Sequence, residues 1–227
     1  MAINLDGRAA SEILLVFEEV AQFGFSKFSV RDASVSTVEI ASWLGVVANL
    51  PGISKVQELT PKLQINTNES TYSGNYGLGV FPFHTDMAHW NSPPRFFILR
   101  CICPAPDVKT LLLDFKPIIE SIDEVTLARA LFRPRRSLEG QVSILKICEK
   151  GLFRWDSLFL SEVNNVAREL KKEILENIVN SKPSEIALLS QAECLIIDNW
   201  RMLHGRTEVL DQSKDRILER VYLESSK

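Results

Sequence analysis

Phe81-Pro-Phe-His-Thr-Asp86 and Cys194-Leu-Ile-Ile-Asp-Asn-Trp-Arg-Met-Leu-His204-Gly205 are the two stretches on which the reading of this chain turns. In the first, two chelating side chains stand two residues apart, and positions two apart on a strand share a face. In the second, a short apolar run of strand length leads into a turn and then delivers a histidine. Further strands lie around them. Phe96–Cys103 and Thr110–Phe115 are short apolar runs bounded by breakers, among them Pro51-Gly52, Ser73-Gly74 and Pro93-Pro94. Arg216–Leu223 reads as a final strand. Helical spacing marks three other places. Residues 1–50 carry Leu14, Leu15, Phe17 and Val20 at near-helical intervals, then a capping-box pattern at Ser36 and Glu39. Asp123–Phe132 reads as a short helix. Glu162–Val179 reads as a longer amphipathic one, with Val163, Val166, Leu170, Ile174 and Ile178 on one stripe. Many short strands with a few helices predict a β-barrel or jelly roll with helical padding.

The bulk properties agree with one soluble domain spanning 1–227. The chain has 227 residues, 45% of them hydrophobic, enough for a single substantial core. Residues 1–50 are expected to pad that core, and about 120–190 to form a helical or lid insertion. A net charge of −3 gives no footing for nucleic acid or an anionic membrane. No apolar run approaches the roughly 18 residues that span a bilayer. The N-terminal stretch lacks a basic start, and Glu18 and Glu19 break its apolar run, so it is not read as a signal peptide. None of Cys101, Cys103, Cys148 and Cys194 belongs to a CxxC pair. Buried free thiols in a reducing cytoplasm are the expectation. No glycine-rich phosphate loop is present. The oligomeric state is not legible.

The chain has three histidines. His84, Asp86 and His204 together supply two imidazoles and one carboxylate. That donor set on one face of an ion is the arrangement of non-haem Fe(II) oxygenases, and it leaves positions open for other ligands. A structural zinc site fills four positions, usually with cysteine among them. His89, five residues from His84, faces away from the metal on a strand and reads as structural.

The sequences around these residues resemble the taurine dioxygenase/clavaminate synthase-like (TauD/TfdA) branch of the Fe(II)/2-oxoglutarate-dependent oxygenases. The resemblance is carried by PFHTDMAHW (82–90), PPRFFILRCICPAP (93–106), Thr110 in KTLLLDF, LIIDNWRMLHGRTEV (195–209) and DRILERVYLE (215–224). It covers about 72–115 and 192–224. It implies a double-stranded β-helix (jelly roll), with His84, Asp86 and His204 holding Fe(II). Arg216, twelve residues after His204, and Thr110 match the pair that holds the distal carboxylate of the cosubstrate 2-oxoglutarate. Arg220 matches an arginine that grips an acidic group of the substrate, and Asn75 and Tyr76 are candidate pocket residues. The partners implied are dioxygen and a small molecule carrying an acidic group, such as an amino acid or a natural-product intermediate. Hydroxylation with release of succinate and CO2 is the implied outcome. Desaturation, cyclisation or epimerisation on the same machinery stays open, as do a non-catalytic metal-binding jelly-roll module and a zinc hydrolase. Related halogenases lack the carboxylate that Asp86 provides. The stretch between Asp86 and His204 is short for the branch, so the usual lid is in question; residues 133–160 are the candidate for a smaller one. The cluster Arg133, Arg135 and Arg136 reads as a solvated face, and Trp90, Trp155 and Trp200 as core.

Overall fold

Phe96–Cys103 and Glu193–Asp198 pair antiparallel in the middle of a seven-stranded sheet. The computed structural model describes residues 3–6, 9–64, 71–136 and 143–226. In chain order its elements are β1 (Ile3–Leu5), α1 (Ala10–Phe23), β2 (Phe25–Val30), α2 (Thr37–Leu44), β3 (Gly45–Val47), β4 (Gln57–Leu59), α3 (Tyr72–Tyr76), β5 (Phe81–His84), β6 (Phe96–Cys103) and β7 (Thr110–Asp114). Then come α4 (Lys116–Glu120), α5 (Glu124–Arg129), β8 (Phe132–Pro134), β9 (Cys148–Glu149), β10 (Leu152–Phe153), β11 (Leu160–Glu162), α6 (Asn165–Asn180), β12 (Ser184–Ile186), β13 (Glu193–Asp198), β14 (Met202–Arg206) and β15 (Ile217–Ser226).

The larger sheet runs β1-β2-β13-β6-β15-β3, with β4 also paired to β15. The smaller runs β12-β7-β14-β5. All these pairings are antiparallel except β1 with β2. The sheets face each other. Phe97, Leu99 and Cys101 of β6, Leu195 and Ile197 of β13, and Leu218 and Tyr222 of β15 meet Leu112 and Met202 of the smaller sheet. The alternate residues of the same strands, Phe96, Ile98, Cys194, Ile196, Val221 and Leu223, pack outward against Val16, Val20, Ile40 and Leu44 of α1 and α2. Both faces of β6 and β13 are thus buried, which is why their sequences are near-continuous apolar runs. Each such side chain contributes about 1.5–3 kcal/mol. On the far side, Ala167, Leu170 and Ile174 of α6 cover Leu113 and Leu203 with Phe115 and Trp155. Two facing antiparallel sheets with helices outside form a jelly roll.

The padding expected over 1–50 is only partly helical. Ser36 does cap α2, its hydroxyl accepting from the Glu39 amide. Yet Phe25–Val30 is a strand with a clean alternation of half-buried and buried positions, and it pairs with β13 inside the larger sheet. Period-two alternation wins there over the helical run before it. The helix expected over Asp123–Phe132 is shorter: Asp123 caps α5, and Phe132 begins β8. The helix expected from Glu162 starts at Asn165, because the Asn164 side chain caps it. Val163 is then left outside, exposed. Cys101 and Cys194 are buried; Cys103 and Cys148 are half-buried, and all four are unpaired. Among the described residues, no helix is long and apolar enough to cross a membrane.

Candidate metal centre and its cavity

His84 closes β5 and lies directly across the ladder from His204 on β14. Their rings stand 4.3 Å apart. Asp86 is not on the strand, which ends at His84; it sits in the following turn. The turn is held from several sides. The Thr85 amide donates to the Trp155 carbonyl at 2.8 Å. Asn199, with no solvent exposure, accepts from the Asp86 amide at 2.7 Å and donates to the Asp86 carbonyl at 3.0 Å. Its amide nitrogen also reaches the Pro94 carbonyl at 3.0 Å. The residue after Asp86, Met87, takes a left-handed φ of 55° to complete the bend. His84 and Asp86 therefore converge through a pinned turn, not through strand alternation.

The three side chains are buried, and one ligand atom from each lies within 4.8 Å of the others. The Asp86 Oδ1 is 3.7 Å from His84 Nε2 and 3.5 Å from His204 Nε2. His84 Nδ1 lies 2.9 Å from the Pro82 carbonyl, which can only accept. Nδ1 thus carries the proton and Nε2 keeps its lone pair for an ion. Burial, with the neighbouring His204, lowers the His84 pKa to about 3, so the ring is neutral and ready to ligate. Burial alone would raise the Asp86 pKa; Arg220 and the two imidazoles outweigh it and hold the carboxyl well below the usual range. Two imidazole nitrogens and one carboxylate oxygen fit a divalent first-row cation.

The second oxygen of Asp86, Oδ2, accepts from Arg220 Nη1 at 2.7 Å and from the Tyr222 hydroxyl at 2.9 Å. Arg220 Nε and Nη2 both donate to Gln57 Oε1, at 3.0 and 2.8 Å. Arg220 and Tyr222 are two apart on β15, on its inward face. Burial pushes the Tyr222 phenol well above 10, so it is a donor at any ordinary pH.

His84, Asp86, His204, Gln57 and Arg220 line one cavity of about 490 Å³, within the range of small-molecule sites. Thr110, from the start of β7, and Arg216, just before β15, also line it. Among the described residues no hydrogen bond or ion pair holds the Arg216 guanidinium. Burial pushes its pKa down to about 10. Asp215 and Glu219, its neighbours in sequence, do not pair with it; Glu219 accepts instead from Thr37. Arg206, directly across the ladder from Thr110, is a second cation on this wall. It stacks 3.8 Å over Phe81 and donates to the Gly77 and Gly79 carbonyls at 3.1 and 2.7 Å. Its pKa falls to about 10 through burial and then through Arg216. One end of the cavity is therefore strongly electropositive.

Apolar rings close the rest. Tyr72 stacks on His84 at 4.0 Å between centroids, Phe159 meets Tyr72 edge-on at 5.4 Å, and Phe97 lies 4.9 Å from His204. Behind Tyr72 stands Asp156, bridged through its backbone to His84. It accepts from the Leu158 and Phe159 amides, both at 2.8 Å. Burial raises its carboxyl to about 6.

The structure thus brings together His84, Asp86, His204, Thr110, Arg216 and Arg220. Asn75 and Tyr76 do not line the cavity. Asn75 donates to the Thr71 carbonyl, and Tyr76 packs beside Tyr72 at 5.9 Å. From that same segment, Thr71, Tyr72 and Ser73 face the cavity. His89 lies off the cavity, its Nδ1 buried without a partner among the described residues. Arg133, Arg135 and Arg136 are exposed. Trp155 is core, and Trp200 donates to the Pro93 carbonyl. Of the candidate lid, Phe159 reaches the cavity; residues 137–142 lie outside the described residues. Sequence reasoning passed over Asn199 and Arg206, although both flank His204 in a stretch already singled out. It also passed over Tyr222, two residues from Arg220. Gln57 and Tyr72 carry no local signal.

No family model matches the chain, and no curated protein is significantly similar to it. Solved structures are similar in fold. One is an asparagine oxygenase in complex with Fe(II), 2S,3S-3-hydroxyasparagine and succinate, with a TM-score of 0.71 and 18% identity over 94% of this chain and 78% of that one. A second is PvcB, an Fe, alpha-ketoglutarate dependent oxygenase from an isonitrile synthetic pathway, with a TM-score of 0.67 and 18% identity over 98% and 82%. A third is the non-heme iron oxygenase OrfP in complex with Fe and alpha-ketoglutaric acid, with a TM-score of 0.68 and 16% identity over 96% and 81%. The chain shares the jelly-roll fold of these three proteins along nearly its whole length.

Proposed function

We propose that the chain is an Fe(II)- and 2-oxoglutarate-dependent oxygenase that hydroxylates a small molecule, with release of succinate and CO2. The observation that carries this reading is the composition of one cavity. It holds a two-histidine, one-carboxylate donor set together with a half-buried guanidinium, Arg216, that has no counter-ion among the described residues. A metal site alone gives no reason to draw Arg216 out of water uncompensated, because desolvating an unpaired charge is costly. A dicarboxylate cosubstrate supplies the missing anion. The similar solved proteins, whose complexes contain iron with succinate or alpha-ketoglutaric acid, support the same choice.

In this reading His84, Asp86 and His204 hold the iron. Iron with dioxygen and a 2-oxo acid supplies the oxidising power that no side chain has. The chain does the rest. Arg216 holds the far carboxylate through a two-pronged, charge-assisted contact, and the Thr110 hydroxyl donates to the same group. Arg206 adds positive potential behind them. Phe97, Tyr72, Phe159 and Leu218 exclude water around the reacting atoms. Arg220 stands at the Asp86 side of the cavity, where an acidic group of a substrate would meet it in competition with Gln57. The asparagine oxygenase and OrfP complexes contain hydroxylated amino acids, which supports an amino acid or a derivative as substrate. The four free thiols support a reducing, cytoplasmic setting.

The test is anaerobic addition of Fe(II) and 2-oxoglutarate, followed by visible absorption. The expected result is a charge-transfer band that is lost in His204→Ala and weakened in Arg216→Ala. Folded, iron-loaded protein without a band would refute the proposal.

A further inference from the structure

We propose that Tyr222 is a positioning residue that makes Asp86 a one-oxygen ligand, an inference that rests on the reading that His84, Asp86 and His204 hold a divalent metal. The two oxygens of Asp86 have different surroundings. Oδ1 faces both imidazoles, 3.7 Å from His84 Nε2 and 3.5 Å from His204 Nε2. Oδ2 points the other way, to the Tyr222 hydroxyl at 2.9 Å and Arg220 Nη1 at 2.7 Å. A carboxylate can otherwise bind an ion through both oxygens, and doing so would fill a position that a chelating cosubstrate or dioxygen needs.

The main chain of Asp86 has no freedom to drift, because Asn199 grips both its amide and its carbonyl, at 2.7 and 3.0 Å. What remains is rotation of the carboxylate, and the two donors on β15 stop it. Arg220 is shared: its Nε and Nη2 are on Gln57, and it lines the cavity where other anions would compete for it. Tyr222 is not shared. Its ring packs against Phe97 at 6.0 Å, it is 3% exposed, and Asp86 is the partner of its hydroxyl. Packing alone would be served by phenylalanine. The hydroxyl is explained by Oδ2.

The experiment uses Co(II) alone as the probe, in wild type and in Tyr222→Phe. The visible bands of Co(II) depend on its donor set and geometry, so they report a change in how the Asp86 carboxylate meets the ion. The expected result is a Tyr222→Phe protein whose bands differ in position or intensity from wild type, with Co(II) affinity lower by about tenfold, the usual scale for losing a partner of a metal ligand. A Tyr222→Phe protein whose bands match wild type overturns the proposal, whatever its affinity or melting temperature. Should that variant not fold, a crystal structure of the Co(II)-loaded wild type decides: Oδ1 alone on the ion with Oδ2 on Tyr222 supports the proposal, and both oxygens on the ion overturn it. A wild type that binds no Co(II) brings down the metal-site reading itself, which is a different failure.

Discussion

Arg216→Met separates a functional cation from a structural one, because the two roles predict changes of opposite sign. The guanidinium sits largely out of water without a carboxylate partner among the described residues, and burial takes its pKa from 12.5 to about 10. At about 1.4 kcal/mol per pH unit, keeping it charged in the folded metal-free protein costs about 3 kcal/mol at neutral pH. Methionine retains most of the apolar stem and removes the charge. The metal-free variant is therefore expected to be more stable by about 1–3 kcal/mol, read as a higher urea midpoint at unchanged slope. Binding of 2-oxoglutarate moves the other way. Two charge-assisted bonds contribute about 1.5–3 kcal/mol each, so the dissociation constant should rise by roughly 100-fold or more. Calorimetric titration of the anaerobic Fe(II) protein gives that number. A variant that loses more than about 1 kcal/mol of stability and still binds 2-oxoglutarate like wild type would refute the reasoning, since Arg216 would then be holding the fold.

Asp156→Asn should stabilise the metal-free protein in a pH-dependent way. Burial raises this carboxyl from 3.8 to about 6, so wild type loses stability as pH climbs from about 4 to 6 while the asparagine variant does not. The difference between them should grow over that interval, level off above it, and reach at most about 3 kcal/mol; urea unfolding at pH 4.5 and 7.5 measures it, and a flat difference contradicts the buried-acid picture. Gly205→Ala places a methyl 2.7 Å from the Phe81 carbonyl. That forces β5 away from β14 at its Phe81 end, on the ladder that also carries the His84–His204 pair, so Co(II) affinity should fall more than tenfold for a stability loss of only about 1–3 kcal/mol. Leu195→Ala, at a fully buried position between the sheets, should cost about 2–5 kcal/mol by denaturant unfolding and leave the Co(II) bands of the folded protein unchanged.

The strands at the centre of the larger sheet were legible because both their faces are buried. An apolar run such as Phe96–Cys103 has few other folded explanations once it is bounded by Pro-Pro and by Pro104. The triad was legible because donor chemistry is scarce: with three histidines in the chain, two beside plausible partners are conspicuous. What escaped is what depends on distance in sequence. Gln57 reaches Arg220 only because β4 joins β15. Asn199 acts on a turn more than a hundred residues earlier, and nothing in its own neighbours announces that. The geometry of Asp86 was misjudged for a related reason. Alternation along a strand explains the convergence with His84 cheaply, but the strand stops at His84, and a tertiary clamp supplies the convergence instead. The Phe25–Val30 strand was missed because the preceding helical periodicity was extended across Gly24, whose left-handed φ of 83° ends that helix.

The placement of His84 and His204 as cross-strand partners has a mechanical side. Among the described residues β5 is the outermost strand of the smaller sheet, laddered to β14 and otherwise held by one isolated bridge from His84 to Asp156. A metal ion held by this pair would act as a tether between an edge strand and its neighbour, closing a long loop of chain that otherwise depends on a few backbone bonds and a register irregularity. Fraying of β5, as seen by amide exchange or by protease nicking near Phe81, would then be suppressed in proportion to metal occupancy. Scarcity of the ion would be felt as a loosened edge at β5.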